Sequence, residues 1–78
     1  MLHSTVRLAI DVGGTFTDTV LVGSDGSVIA STKILTSHDN PANAAMQGAL
    51  EALDIAGISL SQVSGFVLGT TLATNALT

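Results

Sequence analysis

The stretch that decides the fold is "AIDVGGTFTDTVLV", residues 9–22. Apolar and β-branched residues from Val6 to Val12 predict a buried β-strand rather than an amphipathic helix. The segment from Thr17 to Gly23 is strand-like again, so the two glycines before it mark a tight connection. The chain therefore begins with a strand, a turn and a second strand, and an aspartate stands just before the turn.

The polar residues of this connection have two explanations. Gly13 and Gly14 would let backbone amides approach a ligand closely. Thr15 and Thr17 would add hydroxyl donors, and together these groups suit phosphate oxygens. Asp11 is costly to desolvate for packing alone, and it could hold a hydrated divalent cation. An ordinary hairpin whose aspartate caps its own turn explains the same spacing equally well.

Asp18 leaves a similar choice between a chemical and a structural role. It could be a second metal-binding or general-base carboxylate, or simply an aspartate at the start of an exposed strand. Two common nucleotide motifs are excluded. No Gly-Lys-Ser/Thr sequence follows the glycines, and a strand rather than a helix comes next.

Composition indicates a piece of a larger protein. A chain of 78 residues makes one small domain, and such a domain buries only about 60 to 65% of its unfolded surface. Yet 46% of the residues are hydrophobic and only 10% are charged, against roughly 25% charged in an average domain. So apolar a small domain should expose hydrophobic surface, and we expect that surface to be covered by further sequence or by a second copy of the chain.

Charge and hydropathy exclude several classes of partner. The net charge is −4 and only Arg7 and Lys33 are basic, so a nucleic-acid-binding surface is not expected. No stretch has the roughly 20 apolar residues of a membrane span. The first residues lack the pattern of a signal peptide, and we expect a cytoplasmic protein. Cysteine is absent, so disulfides and thiolate metal sites are excluded.

The remaining sequence completes a small mixed sheet. Asp25-Gly26 is a hairpin signal that should fold a strand over 28–35 back antiparallel. A helix is predicted over 41–56, because Asp39 or Asn40 can cap it, Pro41 suits its first turn and Gly57 its end. Residues 58–64 are expected to form a loop, and "GFVLG", 65–69, a strand parallel to its neighbour because a helical crossover leads to it.

The spacing of apolar residues predicts which face of the helix packs on the sheet. With this face inward, Met46 is interpreted as core filler rather than as a ligand. From Thr70 onward, "TTLATNALT" has the spacing of a second helix that continues past the last residue. The predicted inward face consists of Ala42, Ala45, Met46, Ala49, Leu50, Leu53 and Ala56.

Two motifs together suggest a family. "IDVGGTFTDTVLV", 10–22, and "GTTLATNALT", 69–78, resemble the N-terminal region of the hydantoinase A and 5-oxoprolinase family, which includes acetone carboxylase-type subunits. The resemblance spans nearly the whole chain. It implies an α/β fold of the ribonuclease H-like, actin-like ATPase type: an antiparallel three-strand meander, then a helical crossover to a fourth strand beside the first. Residues 1–78 would then be an incomplete N-terminal fragment of such a domain.

The resemblance also implies chemistry. Gly13, Gly14, Thr15 and Thr17 would face the phosphates of ATP, and Asp11 would lie on the Mg²⁺ side. Asp11 and Asp18 become candidate catalytic carboxylates. Enzymes of this family use ATP to phosphorylate an amide or carbonyl oxygen, so that a cyclic amide can be opened or a ketone carboxylated. The second motif, by the same resemblance, implies contacts to substrate or phosphate from Thr70, Thr71 and Asn75.

The leading interpretation is the N-terminal portion of an ATP-dependent cyclic-amide hydrolase, inactive alone and completed by the rest of the enzyme or by a partner subunit. A sugar or acyl kinase of the same fold is one alternative, since "IDVGGT" alone occurs there too. The other alternative is a non-enzymatic module that forms a homodimer through its apolar sheet. Thr71 as a helix cap and Asn75 as a solvent-facing residue are the structural explanations for the second motif.

Overall fold

The structure is a computed structural model in which residues 5–70 are described. Four strands and one α-helix are found in this part of the chain, and a short 3-10 turn, Leu60–Gln62, precedes the last strand. None of its helices is long and apolar enough to cross a membrane. The elements are β1 (Val6–Val12), β2 (Phe16–Val22), β3 (Val28–Leu35), α1 (Pro41–Ala56) and β4 (Val63–Thr70).

The strands form one mixed sheet in the order β3-β2-β1-β4. β1 pairs antiparallel with β2, and β2 pairs antiparallel with β3. After the crossover through α1, β4 returns to pair parallel with β1. The predicted fold class, a three-strand meander followed by a helical crossover to a parallel fourth strand, is confirmed.

Two boundaries near β4 differ from the prediction. The strand begins at Val63 and ends at Thr70, so it replaces the end of the predicted loop and the first residue of the predicted second helix. Pairing with β1 extends the strand, since Val6 lies opposite Val63 and Val12 opposite Thr70. Within the predicted loop, Ser59 and Gln62 form a capping box around the 3-10 turn. The rest of the predicted second helix lies outside the described residues.

The turn between β2 and β3 follows its sequence signal. Gly26 has a φ of 87°, a conformation that side-chain-bearing residues avoid. The Asp25 carboxylate accepts hydrogen bonds from the Ser27 hydroxyl at 2.6 Å and the Ser27 amide at 3.0 Å. These two bonds, the hydroxyl contribution being the larger, lower the pKa of Asp25.

Helix α1 begins and ends where its capping residues predict. Pro41 occupies the first turn, where its missing N–H costs nothing, and Asn40 is the N-cap residue, without a side-chain capping bond. At the other end Gly57 is left-handed, with a φ of 70°. The amides of Gly57 and Ile58 bond back to the carbonyls of Asp54 and Leu53, which satisfies the last turn.

The predicted inward face of α1 is partly wrong. Ala42, Met46 and Leu50 are exposed, Met46 by 63%, so Met46 is not core filler in this structure. The buried face consists instead of four small residues and one leucine: Ala44, Gly48, Ala49, Ala52 and Leu53.

The physical reason lies in a row of threonines beneath Gly48. A Cβ added at Gly48 would lie 2.7 Å from the Thr19 hydroxyl oxygen and 3.1 Å from that of Thr32. The Thr32 hydroxyl donates to the Gly48 carbonyl at 3.0 Å. The helix therefore approaches β2 and β3 along its smallest residues, and the exposed Met46 is left in the groove beside β4.

The core lies between α1 and the sheet. Thr17 and Thr19 are fully buried polar residues of the same sheet face, and the Thr19 hydroxyl has no hydrogen-bond partner within residues 5–70. The apolar core consists of Val6, Leu8, Ile10, Leu21, Ala30, Ala49, Ala52 and Leu53.

Strand β4 carries uncovered apolar side chains on both faces. Phe66 and Leu68 lie on the α1 side and Val67 on the other, and each is 61 to 62% exposed. A groove of about 440 Å³ runs between α1 and this strand, and Ile10, Met46, Leu60 and Phe66 are among its lining residues. Strands that are apolar on both faces are typical of the interior of a larger α/β sheet.

Candidate functional site

The connection between β1 and β2 is a short turn, residues 13–15, called the glycine loop below. The Gly13 amide donates to the Phe16 carbonyl at 3.0 Å, which closes the base of the turn. The Thr15 carbonyl accepts a bond from the Thr36 amide at 2.8 Å, just beyond the end of β3. Backbone bonds thus fix both sides of the loop to the sheet.

The tip of the loop keeps its donors free. Among the hydrogen bonds of the described residues, none uses the amide of Gly14 or of Thr15 as donor. Thr15 is exposed and both glycines are only half-buried. Free amides on a fixed turn are the groups that bind phosphate oxygens in proteins.

Left-handed geometry does not explain the two glycines of the loop. Within residues 5–70, positive φ angles occur at Gly26 and Gly57 and not at Gly13 or Gly14. Other residues could therefore adopt the loop's backbone. What glycine provides here is a surface without Cβ atoms, which lets a ligand approach the amides closely.

Four residues form one row across the open face of the sheet, which is the face opposite α1. Asp11 is the cross-strand partner of Asp18 on one side and of Gly69 on the other. Asp18 is in turn the partner of Lys33. The row therefore reads Lys33, Asp18, Asp11 and Gly69 across β3, β2, β1 and β4.

The charges in this row differ in how far they are compensated. Lys33 Nζ lies 2.9 Å from Asp18 Oδ1 and also 5.1 Å from the centre of the Phe16 ring. Asp11 is exposed, and no ion pair to it is present within residues 5–70. Like charges directly opposite each other are unfavourable, so a bound cation would stabilise the Asp11 carboxylate more than that of Asp18.

The residues present fit a magnesium ion held by a single carboxylate. The described residues contain no group of three or more His, Cys, Asp or Glu side chains that could enclose a metal. Mg²⁺ commonly keeps several waters and takes one or two carboxylates together with substrate phosphates. Gly69 leaves room beside Asp11, because a Cβ there would have Asp11 Oδ1, 4.0 Å away, as its nearest neighbour.

Thr17 lies on the other side of the sheet from Asp11. Its side chain is fully buried, and its hydroxyl is 2.8 Å from the hydroxyl of Thr36. The predicted contact between Thr17 and phosphate remains a prediction, and it would require this hydroxyl to leave Thr36. Gly14 and Thr15 need no such change, whereas the Gly13 amide already donates to the Phe16 carbonyl.

Thr70, the one described residue of the second predicted cluster, lies at the same sheet edge. Because β1 and β4 are parallel, their carboxyl ends meet, and Thr70 lies opposite Val12 in the register. Open α/β sheets bind ligands at this edge. The side chain of Thr70 and all of Thr71 and Asn75 lie outside the described residues, so their roles remain predictions.

Two residues of this region were missed from sequence. Lys33 was noted only as one of two cations, although the Asp25-Gly26 turn fixes the strand pairing that sets it opposite Asp18. Thr36 had no sequence signal at all. Its contacts depend on the loop and the end of β3 meeting in space, which no spacing along the chain reveals.

A family comparison gives a direct match to the sequence. Residues 7–78 match the family described as the hydantoinase/oxoprolinase N-terminal region. No curated protein sequence shows significant similarity to the chain.

Solved structures share the fold. A nucleotide-free structure of acetone carboxylase, described as acting by ATP-dependent acetone carboxylation, is 30% identical with a TM-score of 0.74. The match covers 95% of this chain and 11% of that one, so the present chain spans about a tenth of its relative.

Two more distant structures agree in fold alone. Component A of (R)-2-hydroxyglutaryl-CoA dehydratase from Acidaminococcus fermentans is 16% identical, with a TM-score of 0.75, over 94% of this chain and 27% of that one. A Chromobacterium violaceum protein assigned as an N-acetylglucosamine kinase is 18% identical, with a TM-score of 0.62, over 85% and 35%. The sheet thus has the fold found in part of these actin-like ATPase and kinase structures.

Proposed function

The chain belongs to the hydantoinase/oxoprolinase family as its N-terminal region, and we propose that it supplies the first phosphate-binding loop of an ATP-dependent enzyme. The observation that carries the proposal is the glycine loop itself. Its base is closed by hydrogen bonds, while the amides of Gly14 and Thr15 at its tip have no hydrogen-bond partner within residues 5–70. The neighbouring Asp11 is exposed and has no cationic partner within residues 5–70.

In this proposal the residues have distinct roles. The amides of Gly14 and Thr15, with the Thr15 hydroxyl, bind phosphate oxygens of ATP. Asp11 holds Mg²⁺ through water or directly, on the open face beside the loop. When bound, Mg²⁺·ATP supplies a transferable phosphoryl group whose charge the metal and the amides neutralise.

Asp18 is the weaker candidate for a catalytic carboxylate. Its oxygen lies 2.9 Å from Lys33 Nζ, so the cation already compensates it. A role for Asp18 as a general base would require that ion pair to open. We therefore assign the metal to Asp11 and keep a catalytic role for Asp18 as a prediction.

The reaction class follows from the family. We propose that the complete enzyme uses ATP to activate a cyclic amide for hydrolysis, as the hydantoinase and oxoprolinase names imply. Acetone carboxylase shares 30% identity with the chain, so carboxylation of a carbonyl compound is the second candidate. We expect this chain alone not to hydrolyse ATP, because its glycine loop covers only one part of a nucleotide.

The exposed apolar surface of β4 indicates that another part of the enzyme packs against this strand. We propose that later sequence of the same enzyme, or a partner subunit, covers Phe66, Val67 and Leu68. Their exposure on both faces of one strand supports an interior position in a larger sheet. A homodimer through this surface remains the alternative, and a cytoplasmic location remains a prediction.

The test is ATP hydrolysis by a protein in which this chain is followed by its downstream sequence. Asp11→Ala is expected to reduce turnover at least a hundredfold, because an Mg²⁺-binding charge is lost. Asp54→Asn, an exposed aspartate on α1, is the matched control and should retain full activity. Full activity of Asp11→Ala would contradict the proposal.

A further inference from the structure

Thr36 lies directly after β3 and bonds to Thr15 in the glycine loop and to Thr17 just beyond it. Its amide donates to the Thr15 carbonyl at 2.8 Å. Its hydroxyl is 2.8 Å from the hydroxyl of Thr17, which is fully buried. One residue therefore holds the loop's second half by a backbone bond and by a side-chain bond.

The hydroxyl bond lies on the side of the sheet that faces α1, where the Thr17 side chain is buried. On the open face, Lys33 lies over the Phe16 ring at 5.1 Å. The end of β3 thus contacts the start of β2 from both faces of the sheet. The Thr36 bonds are the more restrictive of the two, because hydrogen bonds require a defined geometry while the Lys33 contact is exposed.

We propose that Thr36 is the positioning residue of the phosphate loop, an inference that rests on the proposed function. Its hydroxyl, by bonding to Thr17, keeps its own amide against the Thr15 carbonyl and so fixes the peptide plane next to the amides of Gly14 and Thr15. Loop amides that are already held in place lose less conformational freedom when a ligand binds to them. Thr36 touches no ligand itself and acts through Thr15 and Thr17.

A matched pair of variants separates this role from a general loss of stability. Thr36→Val keeps the shape of the side chain but leaves the buried Thr17 hydroxyl without its partner. Thr36→Ser restores the hydroxyl. Thr32→Val is the control, because it removes a comparable bond from β3, to the Gly48 carbonyl, without touching the loop.

The first measurement is Mg²⁺-pyrophosphate binding by the 78-residue chain, followed by amide NMR. We expect Thr36→Val to bind about tenfold more weakly, the effect of losing one buried hydrogen bond. Thr36→Ser and Thr32→Val should stay within about twofold of the original chain. If Thr36→Val binds as tightly as the original chain, the positioning role is wrong.

Two further measurements keep the inference testable without any ligand. The Thr36 amide should exchange slowly with solvent in the original chain, and rapid exchange would contradict the Thr15 bond. The amide order parameters of Gly14 and Thr15 should fall in Thr36→Val and not in Thr32→Val. If the original chain binds no pyrophosphate, the proposed function fails, and these order parameters alone decide whether Thr36 positions the loop.

Discussion

Asp11 and Asp18 are direct cross-strand partners on the open face of the sheet, and among residues 5–70 only Asp18 has a cation beside it. Two carboxylates in this relation repel each other unless a counter-charge is supplied. Lys33 supplies it on one side, at 2.9 Å from Asp18. Within residues 5–70, Asp11 is thus left without a cationic partner, two residues before the glycine loop, and this difference supports the proposed cation site.

The first prediction concerns Asp11. Asp11→Asn removes one of the two facing charges, so the free energy of unfolding should rise by up to about 1 kcal/mol. The same variant should no longer bind Mg²⁺-pyrophosphate, because the carboxylate charge that attracts Mg²⁺ is gone. Urea unfolding and ligand titration measure the two effects, with Asp54→Asn as control. A destabilised variant that still binds would mean that Asp11 is structural.

The second prediction concerns Lys33. Its ion pair with Asp18 is exposed, with side-chain exposures of 60% and 44%, so Lys33→Met should cost only about 0.5 to 1 kcal/mol of stability. The loss should shrink in high salt, which screens exposed charges. Arg7→Met removes the other cation of the chain and serves as control. Equal losses of stability in Lys33→Met and Arg7→Met at low salt would argue against a specific ion pair between Lys33 and Asp18.

The third prediction concerns the close approach of α1 to the sheet. Gly48→Ala should destabilise the protein by about 1 to 3 kcal/mol, because the new methyl would lie 2.7 Å from the Thr19 hydroxyl oxygen. In a Thr19→Ala background that oxygen is absent. Alanine also favours the helix over glycine by about 1 kcal/mol, so Gly48→Ala should then cost much less.

A double-mutant cycle of unfolding free energies measures this coupling. Additive effects of the two substitutions would show that the Thr19 hydroxyl does not set the helix-sheet distance. Thr32 would then be the remaining contact, at 3.1 Å from the same position.

The fourth prediction concerns pH. Ser27 lowers the pKa of Asp25 in the folded turn, so this carboxylate stabilises the fold above the pKa of the unfolded chain. The contribution is lost as the pH falls through the folded pKa. Ser27→Ala should raise the Asp25 pKa toward its ordinary value, while Ser24→Ala should not. Carboxyl carbon chemical shifts during an acid titration give both values, and equal shifts in the two variants would contradict the assignment.

The fifth prediction concerns the surface beside β4. Phe66 and Met46 are 61% and 63% exposed, so Phe66→Ser and Met46→Ser should alter stability by less than about 1 kcal/mol. Both should reduce binding of a hydrophobic dye such as ANS. Leu53→Ser, a buried position, is the contrasting variant and should destabilise severely. Strong destabilisation by Phe66→Ser would mean that this face is already covered.

Much of the fold could be predicted from sequence because its signals are local. Pro41 and Gly57 bound α1, and Asp25-Gly26 makes the turn, as their backbone preferences require. The inward face of α1 could not be predicted, because apolar spacing favoured Met46 and ignored what lay opposite. The threonines beneath Gly48 decide that packing, and they come from other strands.

The candidate site divides in the same way. Asp11 and the glycines could be predicted as candidates from their place around the first turn. The buried position of Thr17 depends instead on which of the alternating side chains of β2 face α1. Its hydroxyl was predicted to face phosphate, but the alternation along β2 places it on the α1 side with Thr36. Lys33 and Thr36 enter only through strand register and tertiary contact.

The most direct test of the account is an amide NMR titration of this chain with Mg²⁺·ADP and with Mg²⁺-pyrophosphate. The account predicts that the amides of residues 13–17 shift selectively, Gly14 and Thr15 most of all, and that the shifts disappear in Asp11→Asn. A well-dispersed spectrum in which these amides stay unchanged at millimolar ligand would contradict a preformed phosphate loop.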